Sequence, residues 1–270
     1  MSIDTETQMR LPELAAVLDH AQISATPVAQ LTASDPLTLA DAYAVQHLLV
    51  ERRVQRGDGR SGVKLGFTSR AKAQQMGVSD VIIGSITQAM RTEDGGLLDH
   101  GAFIHPRVEP EVAFLLGRDV DPHDERVDVH SAVAAVAPAL EVIDSRYRDF
   151  AFTLEDVVAD NTSASGYVIG PWVDSARAGD LGNRGVRLEV DGRLVESGST
   201  AAILGHPSRA IHEAARLARL HGFELRAGMV LLAGAATAAV PLSSPGVVEA
   251  TVSGLGSVAV RVACRGCGHG

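Results

Sequence analysis

The stretch His105-Pro106-Arg107-Val108-Glu109-Pro110-Glu111-Val112-Ala113-Phe114-Leu115-Leu116 decides how the chain is read. Apolar and β-branched residues between Pro106 and Gly117 predict a strand, and on a strand Glu109 and Glu111, two positions apart, point to one face. A further carboxylate, Glu141, lies inside the apolar run Pro138-Ala139-Leu140-Glu141-Val142-Ile143, where an unpaired charge is costly to bury. Brought together, the three glutamates make a hard oxygen site suited to magnesium or manganese, because neither thiolates nor a histidine cluster are at hand to favour zinc. The other reading keeps Glu109 and Glu111 on a solvated strand face and pairs Glu141 with an arginine.

Working outward, Lys64 stands in Gly62-Val63-Lys64-Leu65-Gly66-Phe67, a basic residue in an apolar strand between glycines that permit close backbone approach. It can anchor a substrate or move a proton, or it can snorkel from an edge strand. Further short strands are predicted at 140–143, 167–169, 247–252 and 257–262, and Asp191-Gly192 between Val186–Val190 and Arg193–Glu196 is a hairpin signal. Helices are predicted at 11–21, at 39–56 with Thr38 as cap, and after His206-Pro207 up to Gly222. The basic cluster Arg52, Arg53 and Arg56 reads as a solvated helix end. Strands outnumber helices without alternating regularly with them, so the expectation is an α+β fold and not a doubly wound parallel sheet. The expected organisation is a helical segment over 1–60, a β-rich catalytic domain over 61–263 and a flexible tail over 264–270.

Four segments invite a binding role. Asp144-Ser145-Arg146-Tyr147 carries an arginine suited to a carboxylate, although Asp144 and Arg146 can also pair with each other. The loop from Asp156 to Ser165 is rich in hydrogen-bonding side chains, and the small residues of Thr200–Pro207 and Ala233–Pro241 let backbone approach a ligand, though both also read as tight loops.

At 270 residues the chain is long enough for one large domain or two smaller ones. With 33 acidic and 24 basic side chains the net charge is −9, which argues against nucleic acid or an anionic membrane as partner. The run Met229–Val240 is too short to span a bilayer, and Met1–Arg10 is polar and acidic, unlike a secretory signal. Two cysteines, Cys264 and Cys267, exclude a disulfide framework, so a cytoplasmic location is expected. Those cysteines with His269 form only half of a zinc motif, and no serine-hydrolase elbow, P-loop or dinucleotide fingerprint occurs.

Five segments carry a resemblance in order and spacing: KLGFTSRAKAQQMGV (Lys64–Val78), HPRVEPEVAFLLG (His105–Gly117), ALEVIDSRYRDF (Ala139–Phe150), DVVADN (Asp156–Asn161) and GHP (Gly205–Pro207). Together they resemble the hydratase/decarboxylase family of the meta-cleavage pathway, within the fumarylacetoacetate hydrolase superfamily, from about Leu11 to Val262. The resemblance implies a mixed β-roll or sandwich behind an N-terminal helical segment. It also implies Glu109, Glu111 and Glu141 as the ligands of Mg2+ or Mn2+, and Lys64 as the active-site lysine. Leu65, Arg146, Asp160, Asn161, Ser163 and Thr237 become substrate-binding candidates on the same basis.

The implied substrate is a small 2-oxo acid, and the implied assembly is a homo-oligomer able to associate with the pathway hydratase. Two reactions share this scaffold. Oxopentenoate hydratases resemble one another in carrying an acid at the position of Ile82, in Val81-Ile82-Ile83-Gly84, and isoleucine cannot transfer a proton. The expectation is therefore decarboxylation of 2-oxo-3-hexenedioate to 2-hydroxypenta-2,4-dienoate and CO2, with hydration of a 2-hydroxy-2,4-dienoate as the alternative. Hydrolysis of an acylpyruvate stands third, since His105 and His206 sit in no recognisable histidine–carboxylate dyad.

Overall fold

The computed structural model describes residues 5–34, 36–69, 80–124, 128–243 and 245–263, so the expected tail and residues 70–78 of the Lys64–Val78 segment lie outside the described residues. Helix α1 (Thr5–Ile23) runs past both ends of its predicted span and carries Pro12 inside it. Helix α2 (Leu39–Gln55) starts where Thr38 and Asp41 exchange side-chain-to-backbone hydrogen bonds, a reciprocal cap that satisfies two orphan N–H groups. It stops before Gly57, whose φ of +89° suits only a residue without a Cβ. Arg52 and Arg56 are not simply solvated, because both donate to the buried carboxylate of Asp19 and clamp α2 to α1.

The strands follow as β1 (Arg60–Gly66), β2 (Ile82–Thr87), β3 (Arg91–Thr92), β4 (Leu97–Asp99), β5 (Arg107–Leu116), β6 (Val133–Ile143), β7 (Ala164–Ile169) and β8 (Val173–Asp174). Then come β9 (Gly185–Val190), β10 (Arg193–Ser199), β11 (Val230–Ala235), β12 (Val240–Pro241), β13 (Gly246–Val252) and β14 (Gly256–Ala263). Three further helices, α3 (Leu154–Ala159), α4 (Ser175–Ala178) and α5 (Arg209–His221), interrupt them. One sheet has the order β2-β1-β11-β5-β6-β7-β3 with β12 on β5 and β8 on β6; the other has the order β10-β9-β13-β14-β4. This is an α+β fold of two mixed sheets, as expected, and no helix among the described residues is long and apolar enough to cross a membrane.

Strand β6 begins seven residues before its predicted start, at Val133. Ala134, Ala135, Ala137 and Ala139 have weak strand preference alone, and the long antiparallel pairing with β5 supplies what propensity lacks. The pairing also sorts the side chains. Val108, Leu140, Val142 and Val168 face the second sheet and pack with Leu188, Val248, Val258 and Val260. The opposite face carries the small residues Ala113, Ala137 and Ala139 beside Leu232 and Tyr167. Elsewhere the helices are sealed on by a cluster that joins Leu18, Tyr43 and Leu49 to Leu65, Ile83, Phe114 and Leu231. The Asp191-Gly192 hairpin forms as predicted, with φ of +49° and +72° at its two turn residues.

Candidate active site

The β5/β6 register sets Glu109 directly opposite Glu141, and the strand period puts Glu111 on the same face. One carboxylate oxygen of each lies within 4.8 Å of the others. All three are buried, Glu111 completely at 0% exposure. Gly234 N–H donates to Glu111 Oε2 at 2.8 Å, but Glu111 Oε1 receives nothing. The Gly234 backbone can come this close because its φ is +109°, and an added Cβ would meet Thr68 Oγ1 at 2.1 Å. Of the small residues at 233–241, Gly234 brings its backbone N–H to the glutamate cluster.

Lys64 projects from β1 and is buried, so it does not snorkel. Its Nζ stands 3.0 Å from Glu141 Oε1 as an ion pair and donates a hydrogen bond to Thr162 O at 3.1 Å. The ion pair is a contact of charge and lacks hydrogen-bond alignment, so both oxygens of Glu141 remain without a hydrogen-bonded donor. Burial and then the charges of Glu141 and Glu109 push the Glu111 pKa well above the usual carboxylate range. Burial likewise raises that of Glu141, against the pull of Lys64. Three buried acids, one lysine and three oxygens lacking hydrogen bonds leave an excess of negative charge, which is a donor set that fits a hard divalent cation.

The loop after α3 shapes the next wall. Asn161, Thr162 and Ser163 all have left-handed φ, between +49° and +57°, a costly conformation for residues with a side chain. Asn161 holds them there: its Oδ1 accepts from Ser85 N–H and its Nδ2 donates to Ser85 O, each at 2.8 Å. Gly66 and Gly84 make the approach feasible, since a Cβ on either would come within 2.8 Å of the Thr162 side chain. The consequence is that the Thr162 carbonyl points at Lys64.

A cleft with about 420 Å3 of empty space, open solvent at its mouth included, is lined by Lys64, Glu109 and Ser163 at one side. Phe67, Ile82, Ile143, Phe150, Phe152 and Val157 make an apolar wall. Of the residues expected to bind substrate, the structure brings only Ser163 to this cleft. Leu65 alternates away from Lys64 into the helix-facing core. Thr237 donates its hydroxyl to Ala238 O and packs beside Gly198.

Arg146 is spent inside the fold. It is 1% exposed, pairs with the Asp160 side chain and carbonyl, and donates to Asp144 O, Ala164 O and Ser165 Oγ. Nor does it pair with the Asp144 side chain, which accepts from the N–H groups of Ile104 and His105. Asp160 is equally occupied; burial pushes its pKa up to about 6 against the pull of Arg146. Sequence reasoning missed Thr162 and the apolar wall, whose only signal was the spacing of Phe150 and Phe152 beside a polar loop.

The family model for the C-terminal part of fumarylacetoacetate (FAA) hydrolase matches residues 76–263. This chain belongs to that family. It is 49% identical over 251 residues to a 4-oxalocrotonate decarboxylase of a Pseudomonas species, covering 93% of this chain and 97% of the relative. It is 36% identical over 254 residues to a 2-keto-4-pentenoate hydratase of Paraburkholderia xenovorans, covering 93% and 94%. Among solved structures it resembles 4-oxalocrotonate decarboxylase from Pseudomonas putida complexed with magnesium and adipate, with a TM-score of 0.90 at 35% identity, over 97% of this chain and 99% of the other. Both reactions named among these relatives are those of lyases, and this family member is an enzyme of that class.

Proposed function

We propose that the chain decarboxylates 2-oxo-3-hexenedioate to 2-hydroxypenta-2,4-dienoate and CO2. The observation that carries this reading is the buried Glu109, Glu111 and Glu141 cluster with Lys64 against it, from which Glu109 and Lys64 line a mostly apolar cleft. Glu109, Glu111 and Glu141 would hold Mg2+ or Mn2+, which when bound supplies Lewis acidity at the 2-oxo acid end of the substrate.

This chain's residues do the rest. The cleft wall orients the carbon chain and excludes water, so charge on the substrate is stabilised by fixed groups. When C6 leaves as CO2, the electrons of the C5–C6 bond pass through C4 and C3 to the C2 oxygen, which then needs positive charge and one proton. Lys64, held between Glu141 and Thr162, would hold that proton at its Nζ. Ile82 lines the cleft where an acid would serve the delivery of water, which favours decarboxylation over hydration. Hydration of a 2-hydroxy-2,4-dienoate is the second reading, supported by the identity to a relative named for it. On the same family basis the enzyme is expected to act in the cytoplasm as a homo-oligomer able to bind the pathway hydratase, and a monomeric mass by light scattering would count against self-association.

The test is to supply the protein with Mg2+ or Mn2+ and freshly made 2-oxo-3-hexenedioate, and separately 2-hydroxypenta-2,4-dienoate, following products by NMR and trapped CO2. Metal-dependent CO2 release with dienoate accumulating is expected. Water addition to the dienoate without CO2 from the diacid would move the protein to the hydratase reading.

A further inference from the structure

Arg107 occupies the same face of β5 as Glu109 and Glu111, one same-face step before Glu109 along the strand. Its cross-strand neighbour Ile143 lines the cleft, and its Cζ lies 4.3 Å from the centroid of Phe150, which lines it too. His105 leans on the same ring at 4.9 Å. The chain holds Phe150 there by an unfavourable route, since Asp149 and Phe150 both have φ of +58°. Arg107 is half-buried, and its guanidinium makes no hydrogen bond or ion pair with any described residue; it lies over the ring of Phe150. A guanidinium that is partly desolvated, oriented by an aromatic face and left without a carboxylate is suited to receive one from a ligand. Arg146, the other candidate in this region, has its guanidinium taken up by protein groups.

We propose that Arg107 is the residue that recognises the distal carboxylate of a dicarboxylic 2-oxo acid, with Phe150, a wall of the cleft, orienting the guanidinium. The inference rests on the reading above, in which the 2-oxo acid end lies at the glutamate cluster. Successive same-face positions on a strand are about 6.8 Å apart, and this spacing suits a six-carbon chain anchored near Glu109 and extended along β5. Arg107 thereby separates dianionic from monoanionic substrates, and it acts on capture more than on the chemical step.

The experiment is calorimetric titration of the Mn2+-loaded protein with 2-oxohexanedioate and with 2-oxohexanoate, which differ only in the distal carboxylate. Wild type should bind the diacid about tenfold or more tightly than the monoacid. Arg107→Gln should weaken the diacid by about ten- to a hundredfold and leave the monoacid within about twofold, with Mn2+ affinity and circular dichroism unchanged. Arg107→Lys, which keeps the charge but not the planar fork, should fall between the two, and it decides the matter if the glutamine variant does not fold. In turnover the loss should appear in KM with kcat largely kept. Equal weakening of both probes, or of neither, overturns the role of Arg107 while leaving the 2-oxo acid reading intact. If wild type binds neither probe, that reading itself fails and this inference falls with it.

Discussion

Glu111 is electrostatically stressed, fully buried with one oxygen unpaired and two like charges beside it. Removing its charge relieves burial and repulsion together, whereas removing it from an ion-loaded protein deletes a ligand. In excess chelator, Glu111→Gln should therefore be more stable than wild type by about 1–3 kcal/mol, a rise in Tm of about 2–4 °C for each kcal/mol. It should also lose the Tm increase that Mn2+ gives wild type, and turnover should fall by more than about a hundredfold. Thermal melts with and without Mn2+ check this; a chelated variant less stable than chelated wild type would show that the acid cluster is not stressed without a cation. Glu141 could be singled out from sequence because a carboxylate inside an apolar run has few inexpensive environments. Arg146 could not be placed, because whether an arginine meets a ligand or a buried loop depends on contacts fourteen or more residues away.

At the scale of elements, two joints tie the fold together. The first is the left-handed loop at 161–163 latched to β2 by Asn161. Asn161→Ala removes both latch bonds and should cost about 1–3 kcal/mol, with kcat falling about tenfold as the Thr162 carbonyl leaves Lys64. Urea unfolding and steady-state kinetics measure the two effects, and unchanged kcat would show that the loop does not position the lysine.

The second joint is Asp19 between α1 and α2. Burial pushes its pKa up, but hydrogen bonds from Arg56 and Arg52 outweigh that and hold it below the ordinary value. A carboxyl whose pKa is lowered on folding contributes stability that is present above its unfolded pKa and lost as pH falls through its folded one. Asp19→Asn should thus cost about 1–3 kcal/mol at pH 7, with the gap to wild type closing as pH falls below about 4. A gap that persists at pH 3 in denaturant titrations would count against the ion pair as its source.

Across the whole molecule, the helices are more than an appendage to the sheets. Gln46 of α2 donates from its buried amide to Ile83 O of β2 at 3.0 Å and to Val158 O of α3 at 2.9 Å, crossing from the helical segment to both walls of the site. The buried cluster that includes Leu18 and Leu49 continues without a break to Phe114 and Leu231. Heating the chelated protein should therefore give one transition, with helical and strand signals lost together in calorimetry and circular dichroism. A separate early loss of helix would make residues 1–60 an independent unit.

The sequence by itself determined the features that depend on local period and composition. Strand alternation put Glu109 and Glu111 on one face, the apolar run around Glu141 marked it as a charge needing a reason, and Asp191-Gly192 set the hairpin. Tertiary structure decided what depends on register and on distant partners. The pairing of β5 with β6 put Glu141 opposite Glu109, the Asn161 latch turned the Thr162 carbonyl to Lys64, and Arg146 went to the interior while the Arg107 guanidinium was left over the Phe150 ring without a carboxylate partner. The physical reason is that side-chain direction along a strand follows from a period of two, which any sequence displays. The partner of a charge is chosen among groups that only folding brings within a few ångströms.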